Sequence, residues 1–371
     1  DMSASLVGSE MCIRDRLTIP DELFLGRKGA PHMKANIKKI SELTGFSPAT
    51  VSNALNNKRG VNKETAEKIR QTAREIGYLA EWHVSSIKLV MYRASGAIVN
   101  DSPFFSSLVA GVEAEARNFG FDTLVCNLYQ HAADYDSQVE ELVNDPSSAL
   151  LILATELDSQ EASRFQEALA PVVMLDNWYE DLNFNAVLID NTDAASAAVR
   201  YLIEKGHRKI GHLKGSYGIK NFYYREEGYI RTLRENGLEH DPEHTFTLTP
   251  SMEGACADME ALLQREPDLP TAFFADNDMI ALGAIRALKQ NGYNVPGDVS
   301  VVGFDDLPFC AISSPPLTTI KVYNREMGSA AVRRLMELVK YGDSYCTKVQ
   351  VRSSFVERDS VRDLNGASQE A

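Results

Sequence analysis

Asp176 and Asp278 are the first residues whose positions suggest chemistry. Each stands just beyond a short apolar run, residues 171–175 in one case and 272–275 in the other. In an open α/β sheet, the ground beyond the carboxyl ends of the strands is where ligands bind. A carboxylate there can accept hydroxyl hydrogen bonds, or it can cap a turn or a helix, a place Asp also favours. Asp305 and Asp306, after the run 299–304, have the same two readings, ligand group or turn. Two carboxylates in a cleft would also suit a glycosidase, but the chain carries no G-x-S-x-G, no P-loop, no G-x-G-x-x-G and no H-E-x-x-H. The histidine pairs His207/His212 and His240/His244 have no carboxylate or cysteine at ligand spacing. No metal and no cofactor are therefore expected. His207 is expected to bond backbone groups where a helix turns into a strand.

A second constellation lies near the start. Residues 48–55 read as a helix opened by Ser47-Pro48, since serine caps free amides and proline at the first helical position needs no partner for its nitrogen. Val51, Ala54 and Leu55 share one face. The opposite face carries Pro48, Ala49, Thr50, Ser52 and Asn53, all short, and such a face fits a DNA major groove, where hydroxyls and amides reach base edges. A preceding short helix with Ile37, Ile40 and Leu43 on one stripe, the turn at Gly45, and a third helix capped near Asn62 with Ala66, Ile69, Ala73 and Ile76 inward complete a helix-turn-helix unit. Lys58, Arg59, Lys63 and Arg70 are placed to meet phosphates.

The elements that must hold the carboxylates follow from about residue 89. Apolar runs at 89–93, 122–126, 149–154, 171–175, 186–189, 209–213, 272–275 and 299–304 alternate with amphipathic stretches such as 194–205, 225–236, 279–290 and 327–339. That alternation predicts parallel sheets covered by helices on both faces, and its length predicts two lobes.

Charge divides along the same line. The net charge of −14 conceals +5 over residues 33–78 and −18 over 79–371, so only the small head can face phosphates. Hydrophobic residues make up 44% of the chain and charged ones 24%, as in ordinary globular proteins. The five cysteines (Cys12, Cys126, Cys256, Cys310, Cys346) are scattered and read as reduced thiols. With no basic segment followed by an apolar one at the start, the expected location is the cytoplasm. Residues 1–32 show no periodicity and read as an unstructured, non-native leader.

Here the motifs become specific. The run IKKISELTGFSPATVSNALN at 37–56, followed by VNKET at 61–65 and IGY at 76–78, resembles the headpiece of the LacI/GalR (lactose/galactose repressor) family. The phrases SPFF (102–105), YLIEKGHRKI (201–210), REEGY (225–229), DNDMIALG (276–283), VSVVGFD (299–305) and PLTTI (316–320) resemble that family's effector domain, which is similar in fold to periplasmic sugar-binding proteins. The resemblance implies a repressor, and because one recognition helix reads too few base pairs for useful specificity, a homodimer on a pseudo-palindromic operator is expected. Pro48, Ala49 and Asn53 would choose the base sequence. Ser47 and Thr50 would hold phosphates, with Asn56, Lys58 and Arg59 beside them. It also implies an effector site at Phe104, Phe105, Arg225 and Asp278; Asp176, just after a strand, and Asn221, four residues before Arg225, are second-tier candidates by placement. Carboxylate, guanidinium and aromatic faces together suit a polyhydroxylated ring, a sugar first and a purine or nucleoside second. The rival readings are a carbohydrate-acting enzyme and a solute-binding protein with an appended head.

The expected organisation is a leader (1–32), an all-α head (33–78), a hinge (79–88), a two-lobed effector domain (89–360) and a tail (361–371). The lobes are expected to combine 89–177 with 298–322, and 178–297 with 323–360. The hinge departs from the family pattern Tyr-x-Pro-x-x-x-Ala-x-x-Leu: Ala80 replaces the proline and Ile87 the leucine. In the family that segment wedges leucines into the minor groove. Ile87 also reads as the start of the first strand, and that reading is preferred. No leucine heptad follows residue 360, which favours a dimer over a tetramer.

Overall fold

The computed structural model describes residues 37–55, 61–75, 84–96, 98–99, 103–342 and 345–365. The expected leader, and Asn56, Lys58 and Arg59, lie outside the described residues, as do residues 79–83 of the expected hinge. The chain divides into two compact units, one within residues 1–78 and one within 79–371.

The first unit holds three helices, α1 (Ile37–Thr44), α2 (Pro48–Leu55) and α3 (Lys63–Glu75). Its core is Ile40, Val51, Ala54, Ala66, Ile69 and Ala73. Leu43, expected inward, is 52% exposed, and Thr44 is buried in its place. The reason is angular: steps of three residues fall about 60° short of a full turn each, so the stripe drifts off the core face, while a step of four from Ile40 stays on it. Gly45 takes φ +77° in the turn between α1 and α2, where a side chain would strain the backbone.

The second unit contains two six-stranded sheets. In chain order its elements are β1 (Ser86–Arg93), α4 (Phe104–Asn118), β2 (Asp122–Tyr129), α5 (Tyr135–Asn144), β3 (Ser148–Leu153), α6 (Ser159–Ser163), β4 (Val172–Leu175), β5 (Asn185–Ile189), α7 (Asn191–Glu204), β6 (Ile210–Gly215), α8 (Lys220–Glu235), β7 (Thr245–Leu248), α9 (Met252–Leu263), β8 (Ala272–Ala275), α10 (Asp278–Gln290), β9 (Ser300–Asp305), α11 (Phe309–Ile312), β10 (Thr318–Lys321), α12 (Asn324–Tyr341), β11 (Lys348–Val351) and β12 (Ser354–Val356). The first sheet runs β11-β5-β4-β3-β1-β2 and is wholly parallel. The second runs β12-β10-β9-β8-β6-β7 and is parallel except for β12. Strands such as β3 and β8 are buried along their whole length, as parallel strands covered on both faces must be. α4 and α12 pack closely because Gly111 lies against the Arg325 carbonyl and Gly328 against the Leu108 carbonyl, where any Cβ would collide.

The lobes divide otherwise than expected. β9 and β10 belong to the second sheet, not the first, and 324–351 returns to the first lobe. Strands joined by successive βα units stay neighbours, so β8, β9 and β10 remain together and the chain leaves only after β10. β5 likewise joins the first sheet beside β4 before the first crossing. The body begins at Ser86 and not at residue 89: Ile87, fully buried, sits between Thr123 of β2 and Ala149 of β3. Nor do residues 361–365 form a free tail. The Val301 N–H donates to the Ser360 carbonyl at 2.9 Å, and the Leu364 N–H donates to the Lys205 carbonyl at 2.8 Å.

Ile87→Ala should therefore destabilise the effector domain by about 2–5 kcal/mol, the usual large-to-small core loss, with operator preference retained in the folded fraction. Denaturant unfolding beside operator binding checks this, and native stability with lost preference would place Ile87 on DNA instead.

Candidate reading helix and effector site

At the start of α2 the Ser47 hydroxyl accepts the Thr50 N–H at 3.1 Å and shares a 2.9 Å hydrogen bond with the Thr50 hydroxyl. The Ser47 carbonyl accepts the Val51 N–H at 2.9 Å. With Val51 and Ala54 turned inward, Pro48 and Ala49 are exposed and Thr50, Ser52 and Asn53 half-buried. The Asn53 amide has no hydrogen-bond partner among the described residues. It is free to offer a donor and an acceptor together, the pair that reads an adenine edge. Arg70, expected to meet phosphate, donates to the Ala54 carbonyl at 3.3 Å and so ties α3 to the end of α2. Lys63 is exposed at the start of α3, which Asn62 caps through the Thr65 N–H at 2.7 Å.

In the body, three of the expected polar groups meet, Asp176, Asn221 and Arg225. Asp176 follows β4 with φ 66°, a left-handed conformation that Asp tolerates better than most residues. Its Oδ2 accepts the Thr155 hydroxyl at 2.6 Å and the Asn221 amide at 2.9 Å, while its buried Oδ1 has no partner. Asn221 Oδ1 accepts from Asn191 at 2.9 Å, and Asn191 Oδ1 accepts from Arg225 Nε at 2.8 Å. Arg225 also donates to the Asp276 carbonyl, lies 3.7 Å from Asp305 Oδ1, and covers the Phe304 ring with its guanidinium 3.7 Å from the centroid. All of Asp176, Asn191, Asn221 and Arg225 are buried. Burial raises the Asp176 carboxyl pKa, and its hydrogen bonds from Thr155 and Asn221 and the charge of Arg225 oppose the shift. Burial likewise raises Asp305 well above the carboxylate range, with Arg225 opposing it and Asp278 and Asp176 adding to it.

A cavity of about 300 Å³ opens on this network, with Asp176, Asn191 and Asn221 among its lining residues. Trp178 and Tyr224, stacked at 6.3 Å and 21°, also line it, as do Lys220 and Lys348. The volume is at the small end of ligand pockets, about 300–1,000 Å³.

Three expected effector residues lie elsewhere. Phe104 and Phe105 are buried in the core at the start of α4, edge to face at 5.1 Å. Asp278 is fully buried at the first position of α10. Its Oδ1 accepts the Thr319 hydroxyl at 2.6 Å and its Oδ2 the Leu307 N–H at 2.8 Å, so both oxygens are engaged by protein and neither faces the cavity described. Asn277, one residue earlier, is the helix cap. His207 joins Thr271 at 2.9 Å and the Arg362 carbonyl at 3.1 Å, one of its two partners being the backbone group expected of it.

Sequence reasoning missed Asn191, although it stands two residues beyond a strand, the same placement that marked Asp176. Trp178 and Tyr224 lie close to the residues singled out, but nothing in their spacing marks them. Lys348 carries no local signal at all, because β11 joins β5 from more than 150 residues away.

Residues 36–81 match the description "Bacterial regulatory proteins, lacI family", and residues 199–361 match "Periplasmic binding protein-like domain". The chain is 33% identical over 305 residues to the HTH-type transcriptional repressor CytR of Escherichia coli (strain K12), covering 82% of this chain and 89% of that protein. The chain belongs to the lacI family. Among solved structures, this lacI-family chain is similar to the transcriptional regulator CelR–cellobiose complex (TM-score 0.69, 25% identity, 88% of this chain and 99% of that one). It is also similar to the lac repressor dimer bound to operator and the anti-inducer ONPF (TM-score 0.66, 26% identity, 88% and 99%).

The position of Asp278 yields a stability prediction. Burial raises its pKa to about 6, against the hydrogen bonds from Thr319 and Leu307. A carboxyl raised in the folded state contributes stability that is complete below its unfolded pKa, about 3.9, and is lost as pH rises through about 6. Unfolding free energy measured against pH should fall across that window in the wild type and fall less in Asp278→Asn. Equal slopes would show that Asp278 does not titrate there.

Proposed function

We propose that this lacI-family chain is an operator-binding repressor, not an enzyme, whose DNA affinity is set by a small polyhydroxylated ring bound beside Asp176, with a sugar the first choice. The observation that carries the effector reading is the buried, unpartnered Asp176 Oδ1 on a cavity wall that also offers amides and aromatic faces. Hydroxyls would donate to the carboxylate and exchange bonds with Asn191 and Asn221, while ring C–H groups would lie on Trp178. Arg225 would act through Asn191. The cellobiose in the similar CelR structure supports a sugar. The parallel Trp178–Tyr224 pair also suits a flat base, which keeps a nucleoside as the second reading.

The head would read DNA as one half of a homodimer, because a single recognition helix contacts too few base pairs for useful specificity. The similar lac repressor structure, a dimer on operator, supports this. The cytoplasm is the compartment where such a regulator meets DNA. Effector would alter DNA affinity by favouring one arrangement of the two lobes and, through it, one spacing of the two heads.

Two measurements test the reading. Asp176→Asn should weaken binding of whichever sugar or nucleoside binds by about 1.5–3 kcal/mol, the worth of a hydrogen bond to a charged group, and should blunt its effect on operator binding. Calorimetry with a panel of both compound classes reads this, and unchanged affinity removes Asp176 from the site. In the head, Asn53→Ala should cost about 1–3 kcal/mol at one base position of each half-site, whereas Lys63→Ala should weaken all sequences alike and flatten the salt dependence. Equal losses by both variants across operator mutants would disprove the reading face.

A further inference from the structure

The cavity beside Asp176 carries charge that a neutral sugar does not use. Lys220 opens α8 and Lys348 opens β11, and both line the cavity. Their ammonium nitrogens lie 4.4 and 3.3 Å from the centroid of the same Trp178 ring. Lys220 Nζ also donates to the Trp178 carbonyl at 2.7 Å. Among the described residues neither ammonium group has a carboxylate at ion-pair distance. Other lysines of this domain do: Lys88 meets Asp145 at 2.8 Å, Lys214 meets Glu226 at 2.6 Å and Lys205 meets Glu357 at 3.1 Å.

Two like charges on one indole lie within a Debye length, about 8 Å, and repel with little screening. Contact with the ring face offsets part of that cost. Burial pushes the Lys220 ammonium below the usual lysine range, Glu180 opposes the shift, and Lys348 adds to it. Two helices also begin here. Asn191 and Thr192 of α7, and Lys220 and Asn221 of α8, line the cavity, and neither helix receives a side-chain cap from its preceding residue, Asp190 or Ile219. Uncapped first turns present amides and the positive end of the helix dipole. Two ammonium groups therefore meet at Trp178, and Asp176 is the one carboxylate among the cavity's lining residues.

The geometry points to an effector that is itself anionic: a ring compound bearing a phosphate or a carboxylate, its hydroxyls on Asp176 and Asn221 and its charged group between Lys220 and Lys348. This rests on the reading of the cavity as the effector site. Hydrogen bonds from ammonium to an oxyanion are about twice as strong as neutral ones, so the anion would supply much of the affinity and the ring hydroxyls the selectivity.

The test uses the full chain with inorganic phosphate as the first probe, compared with chloride at matched ionic strength. Phosphate should raise the melting midpoint of the wild type and of Lys220→Arg/Lys348→Arg, which keeps the charges, but not of Lys220→Gln/Lys348→Gln. Calorimetry then compares glucose with glucose 6-phosphate and glucuronate, and adenosine with its 5′-phosphate. The anionic member of the preferred set should bind about tenfold or more tighter than its neutral partner, a difference of about 1.4 kcal/mol, and the gap should close in the glutamine variant. Whether phosphate or carboxylate is preferred separates the two anion sources. No phosphate-specific shift, a shift that survives in the glutamine variant, or equal binding of neutral and anionic members overturns the proposal. A lysine-dependent phosphate shift, with no ring compound binding in an Asp176-dependent way, overturns the effector reading of the cavity and leaves only an anion site.

Discussion

Asp176 Oδ2 accepts hydrogen bonds from two directions at once. Thr155 reaches it from its own lobe at 2.6 Å, and Asn221 reaches it from α8 of the other lobe at 2.9 Å. The second of these joins the lobes through a carboxyl group held away from water, where a charge is costly unless its acceptor capacity is met. One oxygen is met and the other is not. An unmet buried acceptor costs about 1–3 kcal/mol, and a ligand hydroxyl that fills it recovers that energy at the joint itself. Binding energy released there bears on the arrangement of the lobes, and differential energy of this kind is what moves a conformational equilibrium.

The way the chain is threaded gives that joint its leverage. It passes between the sheets after β5, after β10 and between β11 and β12. Within each lobe, helices pair so closely that glycines are needed at the contacts: Gly111 and Gly328 between α4 and α12, and Gly228 between α8 and α7. Packing this tight resists deformation within a lobe, which leaves the three crossings as the places where the lobe arrangement could change. Asn191 is the first residue of α7, immediately past the first crossing, and is held by Arg225 on one side and Asn221 on the other. The same network thus supports the cavity wall and fixes the chain where the lobes part.

Much of this was legible in the residues, for reasons that differ from part to part. The head was readable because its signals are local: Ser47-Pro48 marks a helix start and Gly45 a turn within a few positions of what they control. Leu43 misled because spacing by three mimics a stripe that the true helical period carries away from the core. The two parallel sheets followed from alternating runs, but their membership did not, since nothing near residue 324 announces a return to the first lobe. Asp176, Asn221 and Arg225 were marked by placement or by resemblance, and they meet. Phe104, Phe105 and Asp278 were marked in the same way, yet packing and two protein hydrogen bonds account for them in this arrangement. What resisted reading was anything assembled across the lobes, above all Lys348 beside Trp178.

Charge gives the two ends of the chain different tasks. A head of +5 draws phosphates, while a body of −18 is repelled by them. Repulsion acts on every DNA sequence alike, so it lowers specific and non-specific affinity together and leaves discrimination to the base contacts proposed for Asn53 and its neighbours. The same acidic body would turn away small anions unless a local feature reversed its field. Lys220 and Lys348, unpaired among the described residues and set beside two helix starts, form such a reversal. Glu180 offsets part of the charge on Lys220, and the remainder is what an anionic occupant of the cavity would meet.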